Sequence, residues 1–134
     1  MVNAELSKQL IVTVDNRVGT LAEISEVVAS SGINLIAVCA YAVDNKGVVM
    51  FVSEDNKTAK KLLKAKGYEI RDEEVILLTV DNKPGSLQAT TQRIALAGID
   101  LTLIYGSVEK KGKTSRIVLI SEDNKAVLTA IKTI

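Results

Sequence analysis

The sequence predicts an α+β protein made of two β-α-β-β-α-β units, of which the second lacks its last strand. Three observations lead to this prediction. The chain contains an internal repeat, because the segment Val14–Leu21 returns in similar form as Val80–Leu87, 66 residues later. Apolar residues alternate in some segments, which indicates strands, and recur at helical spacing in others. These two kinds of segment follow one another in the same order in both repeats.

The repeat divides the 134-residue chain into two domains of similar size. Ser31–Leu35 matches Ala97–Leu101 at the same spacing of 66 residues, and Ser53–Lys57 matches Ser121–Lys125 at a spacing of 68. We therefore expect a first domain over residues 1-72 and a second over residues 73-134. A domain of about 70 residues is close to the size at which a single core is marginal.

The first repeat shows a recognisable signal for each of its elements. Leu10, Val12 and Val14 alternate within a β-branched segment, which indicates a strand. After Gly19, apolar residues recur at helical spacing until Gly32, a typical C-cap. The tetrapeptide at 44–47, Asp-Asn-Lys-Gly, predicts a hairpin turn in which the glycine is able to take positive φ. The predicted elements are strand 9–15, the helix that ends at 32, strands 33–43 and 48–53, a helix through 66 and a short strand 68–70.

The second repeat follows the same order but has no counterpart for the fourth strand. The predicted elements are strand 75–81, helix 86–97, strands 99–108 and 115–121, and a helix over 126–134. The strand Val75–Asp81 would then have an open apolar edge, which proteins normally pair or cover. We expect Met1–Lys8, Tyr68–Ile70 or a second chain to lie against it.

Composition restricts the classes of function. The net charge is +1, so no basic excess indicates nucleic acid, and no apolar stretch reaches transmembrane length. The chain has no histidine and one cysteine, which excludes a histidine base, a Cys/His zinc site and an intrachain disulfide. We therefore expect a cytoplasmic protein that is not an enzyme, has no cofactor and contacts neither nucleic acid nor membrane.

The repeated motif Asp-Asn-x-x-Gly-x-Leu lies between a strand end and a helix start. Gly19 and Gly85 permit a tight turn, and the helix that follows offers unpaired N–H groups to an anion. Asn16 and Asn82 bring both a donor and an acceptor, which suits a ligand that carries an amine and a carboxylate. The alternative is that these asparagines only shape the turn, where asparagine is common anyway.

The pattern Val-Asp-Asn-x-x-Gly-x-Leu, followed by an amphipathic helix and by Gly-Ile-Asn-Leu, resembles that of an ACT domain. The likeness covers the first repeat and the second up to its final helix, as in tandem ACT-domain proteins. The resemblance implies a ferredoxin-like fold and a regulatory role. It also implies amino-acid binding at interfaces between paired domains.

The resemblance also names candidate ligand-binding residues. It places the turn asparagine, the turn glycine and the residue that opens the next strand at the ligand, and we include the neighbouring turn residues. The first repeat then contributes Asn16, Arg17, Val18, Gly19, Thr20, Leu21 and Asn34, and the second contributes Asn82, Pro84, Gly85, Ser86, Leu87 and Asp100. Val18 stands where the family has proline, and Asp100 where it has asparagine. A carboxylate at that position would repel a ligand carboxylate, so the second site is expected to differ.

The partners follow from the same features. Both alternating faces of the hairpin strands are apolar, which favours a homodimer built sheet against sheet. The resemblance adds an amino acid as ligand and a separate regulated enzyme. The alternative function is a structural or interaction module that binds no small molecule. Tyr41 and Tyr105, 64 residues apart, are near-equivalents that could frame a pocket.

Overall fold

A computed structural model describes residues 2–107 and 111–132. The last residue of the predicted strand 99–108 and the last two residues of the predicted helix 126–134 lie outside this part of the chain. None of the helices in the described part is long and apolar enough to span a membrane. The elements in chain order are β1 (Val2–Asp15), α1 (Thr20–Ser30), β2 (Leu35–Val43), β3 (Lys46–Ser53), α2 (Asn56–Ala65), β4 (Glu69–Asp81), α3 (Ser86–Leu96), β5 (Leu101–Ser107), β6 (Thr114–Ser121) and α4 (Asn124–Lys132).

The chain forms two compact units that differ from the predicted domains at the N-terminus. The first unit is Lys8–Glu73, and the second combines Met1–Ser7 with Glu74–Ile134. The predicted domain 1-72 assigned the N-terminal residues to the first repeat. In the structure β1 begins at Val2, before the apolar alternation that marked its predicted start, and Ala4 is buried in the core of the second unit.

In the first unit the strand order is β2-β3-β1-β4, where β4 contributes its first residues. The β1–β3 and β2–β3 pairs are antiparallel, and Val14 and Ala42 both lie opposite Gly47. The helices α1 and α2 cover one face of this sheet, because their apolar stripes share a core with β1 and β3. That core consists of Leu10, Val12, Ile24, Val28, Val49, Phe51, Ala59, Leu63 and Ile70.

The second unit repeats this arrangement with a borrowed fourth strand. Its order is β5-β6-β4, and the Val2–Ser7 part of β1 lies on the other side of β4. Ala4 is buried in the same core as Ile76 and Leu78. The predicted α+β architecture is therefore confirmed. Of the three segments expected to cover the edge of Val75–Asp81, the N-terminal one does so.

Strand β4 corrects the prediction of a short strand 68–70 followed by a separate strand from Val75. The structure has one continuous strand from Glu69 to Asp81. The residues between carry charge and gave no apolar alternation, but a strand is held by backbone pairing and needs no apolar face. A polar contact also holds this region, where Gln9 Nε2 donates to Glu73 Oε1 at 2.9 Å.

The hairpin between β2 and β3 is tighter than predicted. Val43 pairs with Lys46, so only Asp44 and Asn45 form the turn. The positive φ, 55°, is at Asp44 and not at Gly47. Aspartate tolerates this backbone because its short side chain can form local hydrogen bonds. Gly47 instead lies within β3, where a Cβ atom would approach Val14 Cγ2 to 3.1 Å.

The burial of Ala4 leads to a prediction on stability. We expect Ala4→Asp to lower the free energy of unfolding by about 2–4 kcal/mol, because the carboxylate would enter an apolar core without a partner. Glu5→Asp is the matched control, since Glu5 is exposed on the same strand. Urea unfolding followed by circular dichroism measures both. Equal stability of Ala4→Asp and Glu5→Asp would show that Val2–Ser7 does not complete the second unit.

Candidate functional site

The turn between β1 and α1 is fixed by one backbone hydrogen bond and one glycine. The Asn16 N–H donates to the Asn45 carbonyl oxygen at 2.9 Å, which ties the turn to the β2–β3 hairpin. Gly19 has a φ of 92° and is the N-cap of α1. A Cβ atom there would meet nothing within 4 Å. The backbone conformation, rather than lack of space, therefore favours glycine at this position.

The start of α1 offers free backbone donors. Gly19 has no side chain to cap the helix, and the buried Thr20 uses its hydroxyl to donate to the Arg17 carbonyl oxygen at 3.1 Å. Within the described residues, neither the Thr20 N–H nor the Leu21 N–H has a hydrogen-bond partner. Such groups, at the positive end of the helix dipole, favour an anion.

A cavity of about 280 Å³ lies at this turn and is called the turn cavity below. The β-sheet contributes an apolar wall, the turn contributes Asn16, and α1 contributes its first residues. It brings together five of the predicted site residues, namely Asn16, Arg17, Gly19, Thr20 and Leu21. The apolar wall comprises Val14, Ala40, Ala42, Val48 and Val49, and Tyr41 and Asp15 also contribute. The Val18 side chain is fully exposed and does not line the cavity.

Asn16 has an unused side chain in this setting. It is exposed, and its carboxamide has no hydrogen-bond partner among the described residues. Next to it, Asp15 accepts from Lys46 Nζ at 2.7 Å, and this hydrogen bond holds the pKa of the aspartate below its ordinary value. The turn cavity thus combines an ionised carboxylate, a carboxamide and unpaired amide donors.

Asn34 does not join the turn within one unit. It precedes β2, which starts opposite Ser53 and ends opposite Lys46, next to the turn. The nine residues of β2 span roughly 30 Å at the usual rise of a strand. Asn34 therefore lies at the opposite end of the sheet, where its carbonyl oxygen accepts from the Glu54 N–H at 3.0 Å.

Arg17 forms an exposed cluster with two residues that the sequence analysis did not identify. Its guanidinium donates to both carboxylate oxygens of Glu23, at 3.2 and 2.9 Å, and the Tyr68 hydroxyl donates to Glu23 Oε2 at 2.8 Å. The hydrogen bonds from Arg17, and to a smaller extent that from Tyr68, hold the pKa of Glu23 below its ordinary value. Burial and the contact with Glu23 raise the pKa of Tyr68.

The equivalent turn in the second unit uses its asparagine differently. Gly85 has a φ of 88° and caps α3 in the same way as Gly19 caps α1. Asn82, however, donates from its N–H to the Lys113 carbonyl oxygen and from Nδ2 to the Gly112 carbonyl oxygen, both at 2.9 Å. Its carboxamide thus holds the β5–β6 hairpin, which agrees with the alternative that this asparagine shapes a turn.

The second unit also has a cavity at this end, of about 310 Å³, but its lining is more apolar. It is lined by Val80, Leu87, Ile104, Tyr105, Gly106, Ser107, Ser115 and Ile117. Among the predicted ligand-binding residues of this repeat only Leu87 lines it, and Asn82, Pro84, Gly85 and Ser86 do not. The Ser86 N–H donates to the Lys83 carbonyl oxygen at 3.2 Å. Asp100 lies at the far end of β5, as Asn34 does for β2.

The strand register corrects the pairing of the two tyrosines. Tyr41 lies opposite Val48, whereas Tyr105 lies opposite Val118. The partner of Val118 in the repeat is Met50, and Met50 lies opposite Cys39. Tyr105 therefore occupies the position of Cys39. Both tyrosines nonetheless line the cavities of their own units.

Little in the sequence indicated that Glu23 and Tyr68 belong to the site. Glu23 lies in the first turn of a helix, where an acidic residue is common because it complements the dipole. Tyr68 is 45 residues away from it, so only the fold joins the two. In the described residues, no group of His, Cys, Asp and Glu side chains could hold a metal ion.

The different uses of the two asparagines lead to a stability prediction. We expect Asn82→Ala to lower the free energy of unfolding by about 1–2 kcal/mol, because the Gly112 carbonyl oxygen loses its donor. Asn16→Ala is the matched control and should change it by less than about 0.5 kcal/mol. Urea unfolding of both variants is the measurement. The opposite ranking would show that Asn16, and not Asn82, stabilises its turn.

The model of the ACT domain pair family matches residues 6–131 of the chain. No curated protein sequence matches it significantly. Protein BT0572 of Bacteroides thetaiotaomicron has a similar structure, with a TM-score of 0.88 at 24% identity over 96% of this chain and 88% of that one. The ligand-free regulatory subunit of aspartate kinase from Thermus thermophilus has a TM-score of 0.74 at 16% identity, over 98% and 95% of the two chains. At these identities the likeness shows a shared fold.

Proposed function

Because the chain belongs to the family of ACT domain pairs, we propose that it is a regulatory protein that binds a free amino acid in the turn cavity of the first unit. The observation that supports this most directly is the free carboxamide of Asn16, beside free helix amides in one cavity. A volume of about 280 Å³ lies just below the usual range for drug-sized ligand pockets, which suits a smaller molecule.

Each part of an amino acid has a complementary part of the cavity. The α-carboxylate would accept from the Thr20 and Leu21 N–H groups, where the helix dipole favours a negative charge. The α-ammonium would donate to Asn16 Oδ1 and to the ionised carboxylate of Asp15. The ligand side chain would lie against the apolar wall of Ala40, Ala42 and Val49.

A second copy of the chain would supply Asn34. Strand β2 lies at an edge of its sheet, so its outer backbone groups can pair with another strand. In place of the sheet-against-sheet homodimer expected from the sequence, we propose an isologous dimer in which two β2 strands run antiparallel across the two-fold axis. The start of β2 in one copy would then lie beside the end of β2 in the other. Asn34 would thereby come to the same end of the sheet as the turn cavity of the partner copy.

The second unit has a different role in this proposal. Its asparagine holds a hairpin, its cavity is mostly apolar, and Asp100 replaces the asparagine of the first repeat. We assign it no amino-acid site of the same kind. The regulated target is a separate enzyme, a proposal that the regulatory subunits of aspartate kinase with similar folds support.

One observation favours the alternative of an interaction module without a small ligand. Val38, Tyr41 and Val43 on the edge strand β2 are 49%, 46% and 52% exposed. Exposed apolar side chains beside an open strand edge are typical of a protein contact. An interaction module would form the dimer but would not bind amino acids.

Ligand binding is tested by calorimetric titration with a panel of the common amino acids at millimolar concentration. We expect one class of amino acid to bind, and Asn16→Ala and Asn34→Ala each to weaken that binding by about 1–3 kcal/mol, because a polar ligand group loses its partner. Val18→Ala is the control in the same turn, since this side chain is fully exposed and outside the cavity.

Two results would contradict amino-acid binding in the turn cavity. If no amino acid gives heat on titration or shifts the melting temperature, the interaction module becomes the better proposal. If Val18→Ala weakens binding as much as Asn16→Ala does, the ligand does not sit in the turn cavity.

The dimer is tested separately by sedimentation velocity at tens of micromolar. We expect the wild-type chain to sediment as a dimer and Val38→Lys as a monomer, because two like charges would meet near the two-fold axis. Leu96→Lys is the matched control, since Leu96 is an apolar residue on α3 with 79% exposure. A Val38→Lys variant that remains dimeric would place the contact elsewhere than β2.

A further inference from the structure

Arg17 lines two cavities of the first unit. One is the turn cavity, and the other is an open groove of about 720 Å³ between α1 and the end of α2, called the helix groove below. The polar residues that line the helix groove include Glu23, Glu26, Lys66 and Tyr68. Among the residues that the structure describes, no other belongs to both linings. Its side chain therefore stands where a change in the turn cavity can reach the helix groove.

The contact between Arg17 and Glu23 is well formed but accessible. It has two hydrogen bonds, and the two side chains are 58% and 48% exposed. An ion pair in contact with water is weak and exchanges readily, because water screens the charges and competes for them. A ligand carboxylate offers the guanidinium the same paired oxygens as Glu23 does, so an exchange keeps the number and kind of its hydrogen bonds.

The second unit shows that the turn does not need this ion pair. The repeat places Lys83 at the position of Arg17 and Ala89 at that of Glu23. The turn nevertheless forms with nearly the same backbone, since the φ angles of Gly19 and Gly85 are 92° and 88°. The Arg17–Glu23–Tyr68 cluster is thus an addition to the unit that carries the turn cavity with the free asparagine, which points to a role in that cavity.

We propose that the α-carboxylate of the bound amino acid replaces Glu23 as the partner of Arg17, so that binding in the turn cavity changes the charge of the helix groove. This inference rests on the proposed function. Arg17 pairs with Glu23 in the free protein and with the ligand in the complex. Glu23 keeps the hydrogen bond from Tyr68 and becomes an unneutralised charge in the helix groove.

The exchange changes the electrostatics of the helix groove. In the free protein, Arg17 is the first cause of the lowered pKa of Glu23, and Tyr68 is the second. When Arg17 pairs with the ligand, Glu23 keeps only Tyr68 as its donor. Glu26 of the same helix and Lys66 at the end of α2 line the same groove. The pKa of Glu23 therefore rises on ligand binding, and the helix groove becomes more negative at neutral pH. The Tyr68 N–H donates to the Leu63 carbonyl oxygen, which links the cluster to α2.

The test is a double-mutant cycle on amino-acid affinity, measured by calorimetry with the amino acid that binds the wild type and with its carboxamide. Glu23→Gln removes the competitor of the ligand carboxylate, so we expect affinity to rise roughly two- to fivefold, as for loss of an exposed ion pair. Arg17→Ala should lower affinity about tenfold or more and should reduce the preference for the amino acid over its amide, which the helix amides alone then maintain. Lys83→Ala is the control and should change neither.

The cycle separates this inference from the proposed function. The double variant should bind like Arg17→Ala, because Glu23 competes only through Arg17. If the wild type binds an amino acid but Glu23→Gln does not bind it more tightly, the exchange is wrong and the binding site stands. If the wild type binds none of the panel, both fail. A carbon NMR titration of the Glu23 carboxyl group in the wild type needs no variant. An unchanged pKa on saturation with the amino acid would overturn the exchange.

Discussion

A glycine in the left-handed backbone region opens α1 and α3, and both turns depend on this one conformation. The φ angles of 92° and 88° are strained for any residue with a side chain, whatever space surrounds it. Since glycine has no side chain, it also cannot cap the helix that it starts. The same residue that lets the chain turn from strand to helix thus leaves amide donors at the end of the sheet. A small anion site follows from the backbone, before any other side chain is considered.

The two units show how side chains decide what that backbone does. In the first unit the tight hairpin reaches the turn through the Asn45 carbonyl oxygen and leaves the carboxamide of Asn16 free. In the second unit the longer β5–β6 connection brings the Gly112 and Lys113 carbonyl oxygens to Asn82, which donates to both. The same asparagine is therefore a free group in the first unit and a structural one in the second. The motif is present in both units, but only in the second does its asparagine side chain bond to the neighbouring hairpin.

The fold was predictable from sequence because it rests on local periodicity and on an internal repeat. The helices of the first unit and the glycines that end them agree with the periodicity and glycine signals, whereas the turn at 44–47 has its positive φ at Asp44 and not at Gly47. The predictions were wrong for Val2–Ser7 and for the charged part of β4, because these parts of the strands have little apolar alternation to indicate a strand. In the site, the turn residues could be found from the motif. Asn34 could not be placed, because its position depends on the direction of β2, and Glu23–Tyr68 joins residues that are distant in sequence.

The position of the Arg17 ion pair at the surface matters for its proposed role. A buried pair costs about 3–5 kcal/mol to break when one partner is removed, because a charge is left in a medium that cannot solvate it. A ligand that binds at millimolar concentration supplies a total of only about 4 kcal/mol. Such a ligand could not break a buried pair and still bind. At an exposed pair, water solvates the carboxylate that is left behind, and Tyr68 continues to donate to it. The exchange then requires only that the ligand carboxylate, placed at the helix amides, is the better partner for the guanidinium. A weak contact is therefore the one that a weakly bound metabolite can switch.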